Sequence, residues 1–225
     1  MRWGMVIDLF KCTGCGACAV ACKRENATPP GVFWSRVHIY ETGTYPNARL
    51  HSLPTLCMQC DEPPCEKACP TGATWVRAGG IVLVNNDQCI GCGYCTWACP
   101  YESRSLNHSD PRPYHPAYGF NPFEERGYIS HSKGVVEKCT FCAPRIDRGD
   151  QPACVQTCPS RARVFGDLDD PESEVSRLIA EHDGLARMEE IGTRPKVFYL
   201  HLRERLTPEP PHKRPSPHKR PSPHK

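Results

Sequence analysis

A run of twelve residues constrains this chain more than any other: Cys89, Ile90, Gly91, Cys92, Gly93, Tyr94, Cys95, Thr96, Trp97, Ala98, Cys99 and Pro100. Three cysteines recur at every third position. A fourth follows after three intervening residues and stands directly before a proline. Gly91 and Gly93 let the loop close tightly, at positive φ where needed, and bring backbone N–H groups towards sulfur. The chain holds 16 Cys in 225 residues, and all of them fall into quartets. These are Cys12, Cys15, Cys18, Cys22; Cys57, Cys60, Cys65, Cys69; Cys89, Cys92, Cys95, Cys99; and Cys139, Cys142, Cys154, Cys158. None is left over, and the density exceeds what ordinary buried cysteines supply.

The C-x-x-C-x-x-C-x-x-x-C-P spacing is that of the bacterial run which binds iron–sulfur clusters. Three thiolates two residues apart wrap one cubane. The fourth starts a helix, points away and ligates a different cluster. Zinc and disulfides are the alternatives. A secreted disulfide scaffold requires an export signal, and residues 1–8 have neither a long apolar region nor a cleavage site. The expectation is therefore a chain without a signal peptide of its own. Disulfide scaffolds also do not usually set cysteines at these intervals inside helical turns.

No run approaches the ~18 apolar residues of a membrane span. Pro (24) and Gly (17) are plentiful, so a conventional core is small and metal binding has to carry part of the folding energy. The formal charge of +3 is uneven. Residues 211–225 hold five Lys/Arg and no acid, leaving 23 basic against 25 acidic side chains elsewhere, a balance of −2. Loaded clusters make that body more acidic still, and no basic face argues for nucleic acid.

Along the chain, residues 4–9 read as a strand feeding the first quartet. Laid over residues 89–99, residues 12–22 match at seven of eleven positions, an internal repeat. Lys23 stands where Pro100 follows Cys99, so the helix starting near Ala17 runs on towards Glu25. Residues 28–31 then stop it. Residues 32–41 read as a strand. Cys69 and Cys158 both open the pattern C-P-[S/T]-x-A. Residues 74–77 and 81–84 flank a hairpin turn at residues 78–80. Residues 101–138 form a long link of the kind that carries function or a contact surface. Its His108, His115 and His131 lack metal spacing and read as surface or partner-facing. A strand follows at 163–165, then a helix capped by Asp169 or Asp170 with Val175, Leu178 and Ile179 on its apolar face. Residues 196–202 form a last strand. From residue 207 the chain is a basic Pro-His-Lys-Arg-Pro-Ser repeat with nothing to bury, read as disordered.

The repeat relates the first quartet to the third and the fourth to the second. The fold class expected is α+β: two interleaved ferredoxin-like (bacterial dicluster) units with short strands, short helices and little regular structure. Residues 1–50 and 129–206 make the outer unit, 51–105 the inserted unit, 106–128 a partner-facing loop, and 207–225 the tail. The three-plus-one rule assigns the thiolates. Cys12, Cys15, Cys18 and Cys158 hold cluster 1. Cys22, Cys139, Cys142 and Cys154 hold cluster 2. Cys57, Cys60, Cys65 and Cys99 hold cluster 3. Cys69, Cys89, Cys92 and Cys95 hold cluster 4. Two swapped cysteines cross-link each pair, which keeps neighbours close, as electron tunnelling requires.

Four such quartets, with C-P-[S/T]-x-A after the second and fourth, resemble the iron–sulfur subunits of the dimethyl-sulfoxide-reductase family of molybdenum enzymes. Residues 5–9 before Cys12 and 166–170 before Pro171 share the resemblance, which covers residues 4 to about 202 and fails over the tail. The likeness is to the small subunits of arsenate, polysulfide, thiosulfate and tetrathionate reductases. In the nitrate-reductase branch the second cysteine of the third quartet is replaced and a three-iron cluster results. Here that position is Cys92, so the resemblance implies four 4Fe–4S clusters and no molybdenum cofactor on this chain. It implies a non-catalytic electron-transfer subunit working between a molybdopterin catalytic subunit and a quinol-linked integral membrane subunit or soluble carrier. It also implies a membrane-associated complex, exported with its catalytic partner or else cytoplasmic. No nucleophile–base pair is visible. Trp97 and Tyr94 read as packing that shields a cluster, and Lys23 and Arg24 as a solvated helix end. The alternative function is a free polyferredoxin shuttle, and a zinc-binding structural module is a third.

Overall fold

In a computed structural model, the described part of the chain is residues 1–203. The basic repeat and the end of the outer unit, residues 204–225, lie outside the described residues.

The run Met5, Val6, Ile7 is apolar without alternation, which is how a strand buried on both faces reads. Strand β1 (Trp3–Asp8) occupies the interior of a four-stranded sheet. Helix α1 (Ala17–Asn26) follows, then the antiparallel pair β2 (Ser35–Thr42) and β3 (Arg49–Leu56). A four-residue helix α2 (Pro64–Lys67) leads into the hairpin β4 (Thr74–Val76) and β5 (Val82–Val84). Next come α3 (Tyr94–Trp97), β6 (Ser105–Leu106), α4 (Pro122–Gly127) and β7 (Val136–Glu137). The short helices α5 (Ala143–Ile146) and α6 (Ala153–Gln156) precede β8 (Arg163–Asp167). Helix α7 (Glu174–Glu181), β9 (Leu185–Ala186) and β10 (Val197–Leu200) complete the described chain. The sheet order is β8-β1-β10-β9, with β1 parallel to β10 and antiparallel to β8. Residues from the beginning and the end of the described chain thus share one sheet.

The two faces of β1 do different things. Val6 packs with Val175 of α7 and Leu200 of β10, closed by Leu178 and Ile179. Met5 and Ile7 face a second cluster in which apolar side chains alternate with thiols: Cys18, Cys57, Cys60, Cys139 and Cys154 lie among Met58, Ile81, Phe141 and Tyr199. The core is built around the cysteines rather than beside them.

Sequence and structure differ at three elements. β3 crosses Pro54, which demotes a strand in sequence, yet it pairs with β2 along its whole length. The link of residues 101–138 is less irregular than its composition implies. It contains α4, capped by Asn121 Oδ1 accepting from Phe123 and Glu124 N–H while Glu124 accepts from Asn121 N–H. The cap of α7 is Ser173, not Asp169 or Asp170. Asp170 instead accepts from Glu172 N–H, and Asp169 pairs with the N-terminal amine and with Arg2.

Candidate metal centres

The repeat between the first and third quartets is physical. Gly16 and Gly93 both stand at the N-cap of a helix in the left-handed region, at φ 75° and 76°. Each turns the chain from its loop into a helix whose second residue is a cysteine, Cys18 or Cys95. Pro100 follows the short α3, whereas α1, with Lys23 in the matching place, runs to Asn26. The other repeat holds as well: the hydroxyls of Thr71 and Ser160 each lie 3.8 Å from the thiol of the cysteine two residues before, Cys69 and Cys158.

Two cavities are lined by thiols four at a time. Cys69, Cys89, Cys92 and Cys95 line one, together with Thr71, Thr74, Ile90 and Val136. Cys22, Cys139, Cys142 and Cys154 line another, with Met5, Asn26, Trp34, Ser35 and Phe141. In both, three cysteines belong to one quartet and the fourth arrives from another part of the chain.

The first cavity depends on a close backbone approach. A Cβ on Gly91, at φ 67°, would lie 2.1 Å from the carbonyl oxygen of Gly134. Gly72 is also left-handed, at φ 68°, but has open space around it. Gly91→Ala is therefore expected to cost on the order of 3 kcal/mol and Gly72→Ala about 1 kcal/mol, from strain alone. Chemical denaturation, together with iron content, distinguishes the two.

The electrostatics group the thiols further. Burial pushes Cys22 up to about 12, with Cys154 and Cys142 adding to it. Burial likewise pushes Cys60 up to about 12, with Cys57, Cys65 and Cys99 contributing. Cys142 rises to about 11 through burial, with Cys154 adding to it. Cys95 is raised by burial and by Cys89 and Cys69. Cys18 is raised by burial, Cys154 and Cys12. Two thiols go the other way. Cys15 is lowered by the Ala17 N–H and the Thr13 hydroxyl. Burial opposes ionisation of Cys69, but the Thr74 N–H and the Thr71 hydroxyl outweigh it. Nine of the sixteen cysteines are buried, and the two exposed ones are Cys15 and Cys92, of the first and third quartets. Cys158 is half-buried.

Cys139 joins the two halves. Its thiol is raised well above the ordinary range by burial, then by Cys22 and, from the second quartet, Cys57. Gln59, fully buried between Cys57 and Cys60, donates to the Cys139 carbonyl at 2.7 Å and accepts from Val82 N–H at 2.8 Å. Lys138, also buried, donates to the carbonyls of Val82 and Cys139. Sequence reasoning missed both residues. Gln59 had a signal, a polar residue inside a C-x-x-C loop, but its burial is a tertiary fact.

Other side chains depart from their sequence readings. His108 and His115 are exposed, but His131 is 2% exposed, with Nδ1 2.6 Å from Glu137 Oε1 and Nε2 2.9 Å from the Asn26 carbonyl. Glu137 also accepts from Trp34 Nε1 and Asn107 Nδ2. Asn26 Nδ2 in turn lies 3.5 Å from Cys22 Sγ, so this buried network ties the long link to the second cavity. Trp97 and Tyr94 do not shield a cavity by packing: Trp97 is 90% exposed and Tyr94 63%. Arg24 is exposed as expected, but the Lys23 ammonium donates to the carbonyls of Thr28, Pro29 and Val32 and lies over the Phe33 ring.

These sites suit a polynuclear cluster. Among the described residues no three His, Cys, Asp or Glu side chains converge closely enough to hold a single metal ion. Thiols spaced around a cavity, with N–H and hydroxyl groups turned to sulfur, are the donor set of a larger iron–sulfur core.

Comparisons with known proteins agree with that chemistry. The 4Fe–4S dicluster domain family matches residues 48–112 and 120–168, and a second family of the same description matches residues 11–73. The arsenate respiratory reductase iron–sulfur subunit of Shewanella sp. (strain ANA-3) is 47% identical over 226 residues, covering 89% of this chain and 96% of the relative. A selenate reductase subunit of Mesobacillus selenatarsenatis is 44% identical, covering 89% and 72%. A polysulfide reductase subunit of Wolinella succinogenes is 37% identical, covering 88% and 94%.

Proposed function

Because the chain belongs to the iron–sulfur electron-transfer subunits of the dimethyl-sulfoxide-reductase family, we propose that it holds four 4Fe–4S clusters in a row, with the ligand sets read from its sequence. Cys12, Cys15, Cys18 and Cys158 hold cluster 1; Cys22, Cys139, Cys142 and Cys154 cluster 2; Cys57, Cys60, Cys65 and Cys99 cluster 3; Cys69, Cys89, Cys92 and Cys95 cluster 4. The observation that carries this reading is the pair of cavities, each lined by one complete four-thiol set that mixes quartets. When loaded, each site supplies one-electron redox chemistry without proton or atom transfer.

The protein's own residues support one order. Cys139 and Cys57, tied through Gln59, set cluster 2 beside cluster 3. The exposed Cys15 and Cys92 mark clusters 1 and 4 as the two ends. Electrons enter at one end and leave at the other, between a molybdopterin catalytic subunit and a quinol-linked membrane subunit or soluble carrier. The division into an outer unit (1–50 and 129–206) and an inserted unit (51–105) belongs to the same proposal. It is supported by β1 pairing with both β8 and β10 across nearly the whole described chain. Among the described residues no helix is long and apolar enough to cross a membrane.

Ile90 of the Cys92 cavity is exposed, as are Tyr94 and Trp97 of α3, and residues 106–128 hold the exposed Tyr114, Tyr118, Phe120 and Phe123. Such a surface suits a lasting partner better than a free shuttle. Trp97→Ala is expected to leave iron content unchanged and stability within about 0.5 kcal/mol. It is expected to weaken binding to one partner subunit at least tenfold, or about 1.4 kcal/mol. Titration calorimetry reads the affinity. Unchanged affinity for every partner subunit, with the chain remaining a monodisperse loaded monomer, would favour the shuttle.

A further inference from the structure

Two arginines are buried in the interior with no carboxylate partner among the described residues. Arg104 is 7% exposed and Arg163 3%. Their sequence positions match, because each stands five residues after the last cysteine of a quartet, Cys99 or Cys158. Their surroundings match as well. Arg104 Nη1 donates to Thr74 Oγ1 at 3.0 Å, and Thr74 lines the cavity of Cys69, Cys89, Cys92 and Cys95. Arg104 Nη2 is buried without a hydrogen-bond partner. Arg163 Nη2 donates to Ser35 Oγ at 3.3 Å and Nη1 lies 4.0 Å from Met5 Sδ, and both partners line the cavity of Cys22, Cys139, Cys142 and Cys154.

A buried guanidinium without a counter-charge is strongly unfavourable, so its counter-charge has to come from sulfur. Burial opposes the charge on Arg104, and the thiolates of Cys65, Cys95 and Cys57 outweigh it. For Arg163 the opposing thiolates are Cys154 and Cys18. Cys65 belongs to the third ligand set and Cys95 to the fourth, while Cys18 belongs to the first and Cys154 to the second. Each arginine therefore lies beside one site and meets the charge of thiolates from both sites of one cross-linked pair.

We propose that Arg104 and Arg163 are charge-setting residues, one per pair, and that each raises the reduction potentials of both sites whose thiolates it meets. Reduction of a site adds one electron and one negative charge. The guanidinium keeps its charge and its protons in both states, so it favours the reduced one through a low-dielectric interior. The swapped cysteines hold the two sites of a pair together, and the arginine keeps their potentials in step, which limits the uphill loss at each transfer.

This inference rests on the four ligand sets proposed above. Iron content and the number of redox steps test those sets, whereas which steps move tests the arginines. The experiment is an EPR-monitored redox titration of the reconstituted full chain. Arg104→Gln is expected to lower two of the four steps, each by at least a tenfold change in reduced-to-oxidised ratio at fixed potential, about 59 mV for one electron. Arg163→Gln is expected to lower the other two, and the Arg→Lys variants to restore most of each shift. Should a Gln variant lose iron, Thr74→Val and Ser35→Ala release each guanidinium while keeping its charge, and the same pairs are expected to shift by less. Movement of all four steps, of the same two in both variants, or of none would overturn the proposal.

Discussion

Cys22→Ser is expected to disrupt the site formed by Cys139, Cys142 and Cys154, at the far end of the sequence, and to spare the site formed by its own neighbours Cys12, Cys15 and Cys18. Cys22 lies at the sixth position of α1, a full turn beyond Cys18, and it lines a cavity with Cys139, Cys142 and Cys154. Its thiol is raised by burial, then by Cys154 and Cys142. A hydroxyl in its place leaves that cavity with three thiolates. The expected result is a loss of up to about four irons per chain, or one altered EPR signal where the serine oxygen substitutes. A change confined to the Cys12, Cys15 and Cys18 signal would show that each quartet closes its own cluster and would dissolve the interlocked arrangement.

Iron removal is expected to unfold the chain. The main core interleaves apolar side chains with thiols, and the cysteine-free cluster of Val6, Val175 and Leu200 is too small to stand alone. Several helices that present cysteines, α2, α3 and α6, are only four residues long, far below what propagates by itself. A structural metal site contributes on the order of 10 kcal/mol to folding, and the whole stability of a domain is roughly 5–15 kcal/mol. Losing several sites therefore exceeds the margin. After chelation under reducing conditions, near-UV circular dichroism and the cooperative denaturant transition are both expected to vanish. A metal-free chain that kept a cooperative transition within about 2 kcal/mol of the loaded one would place the folding energy in ordinary packing instead.

The parts of this molecule that were legible in its sequence are those set by spacing. The quartets, the helix starting at Ala17, the hairpin around Gly79 and Gly80 and the apolar run of β1 all rest on local rules, but Cys99, read as starting a helix, instead follows one, because α3 spans Tyr94–Trp97. The apolar face of α7 was equally readable, because Val175, Leu178 and Ile179 fall at helical intervals. What was not legible depends on burial. Nothing local separates His131, locked to Glu137, from the exposed His108 and His115. Trp97 sits between two cysteines and looks like packing, but α3 is so short that its outer face meets solvent. Ser173 out-competes Asp169 and Asp170 as a cap because Asp169 is held by Arg2 and the N-terminal amine. Arg104 and Arg163 carried a signal, the shared offset from Cys99 and Cys158, but its meaning needed their burial between thiols.

The central claim is that sixteen thiols hold four 4Fe–4S clusters in cross-linked pairs. Its most direct test is a joint count on the anaerobically reconstituted chain: iron and sulfide per protein, and one-electron steps in an EPR-monitored redox titration. The account expects about sixteen irons, four steps, and spin–spin interaction between neighbouring reduced clusters. A chain saturated at fewer than four clusters, or loaded with zinc and silent to reduction, would contradict it.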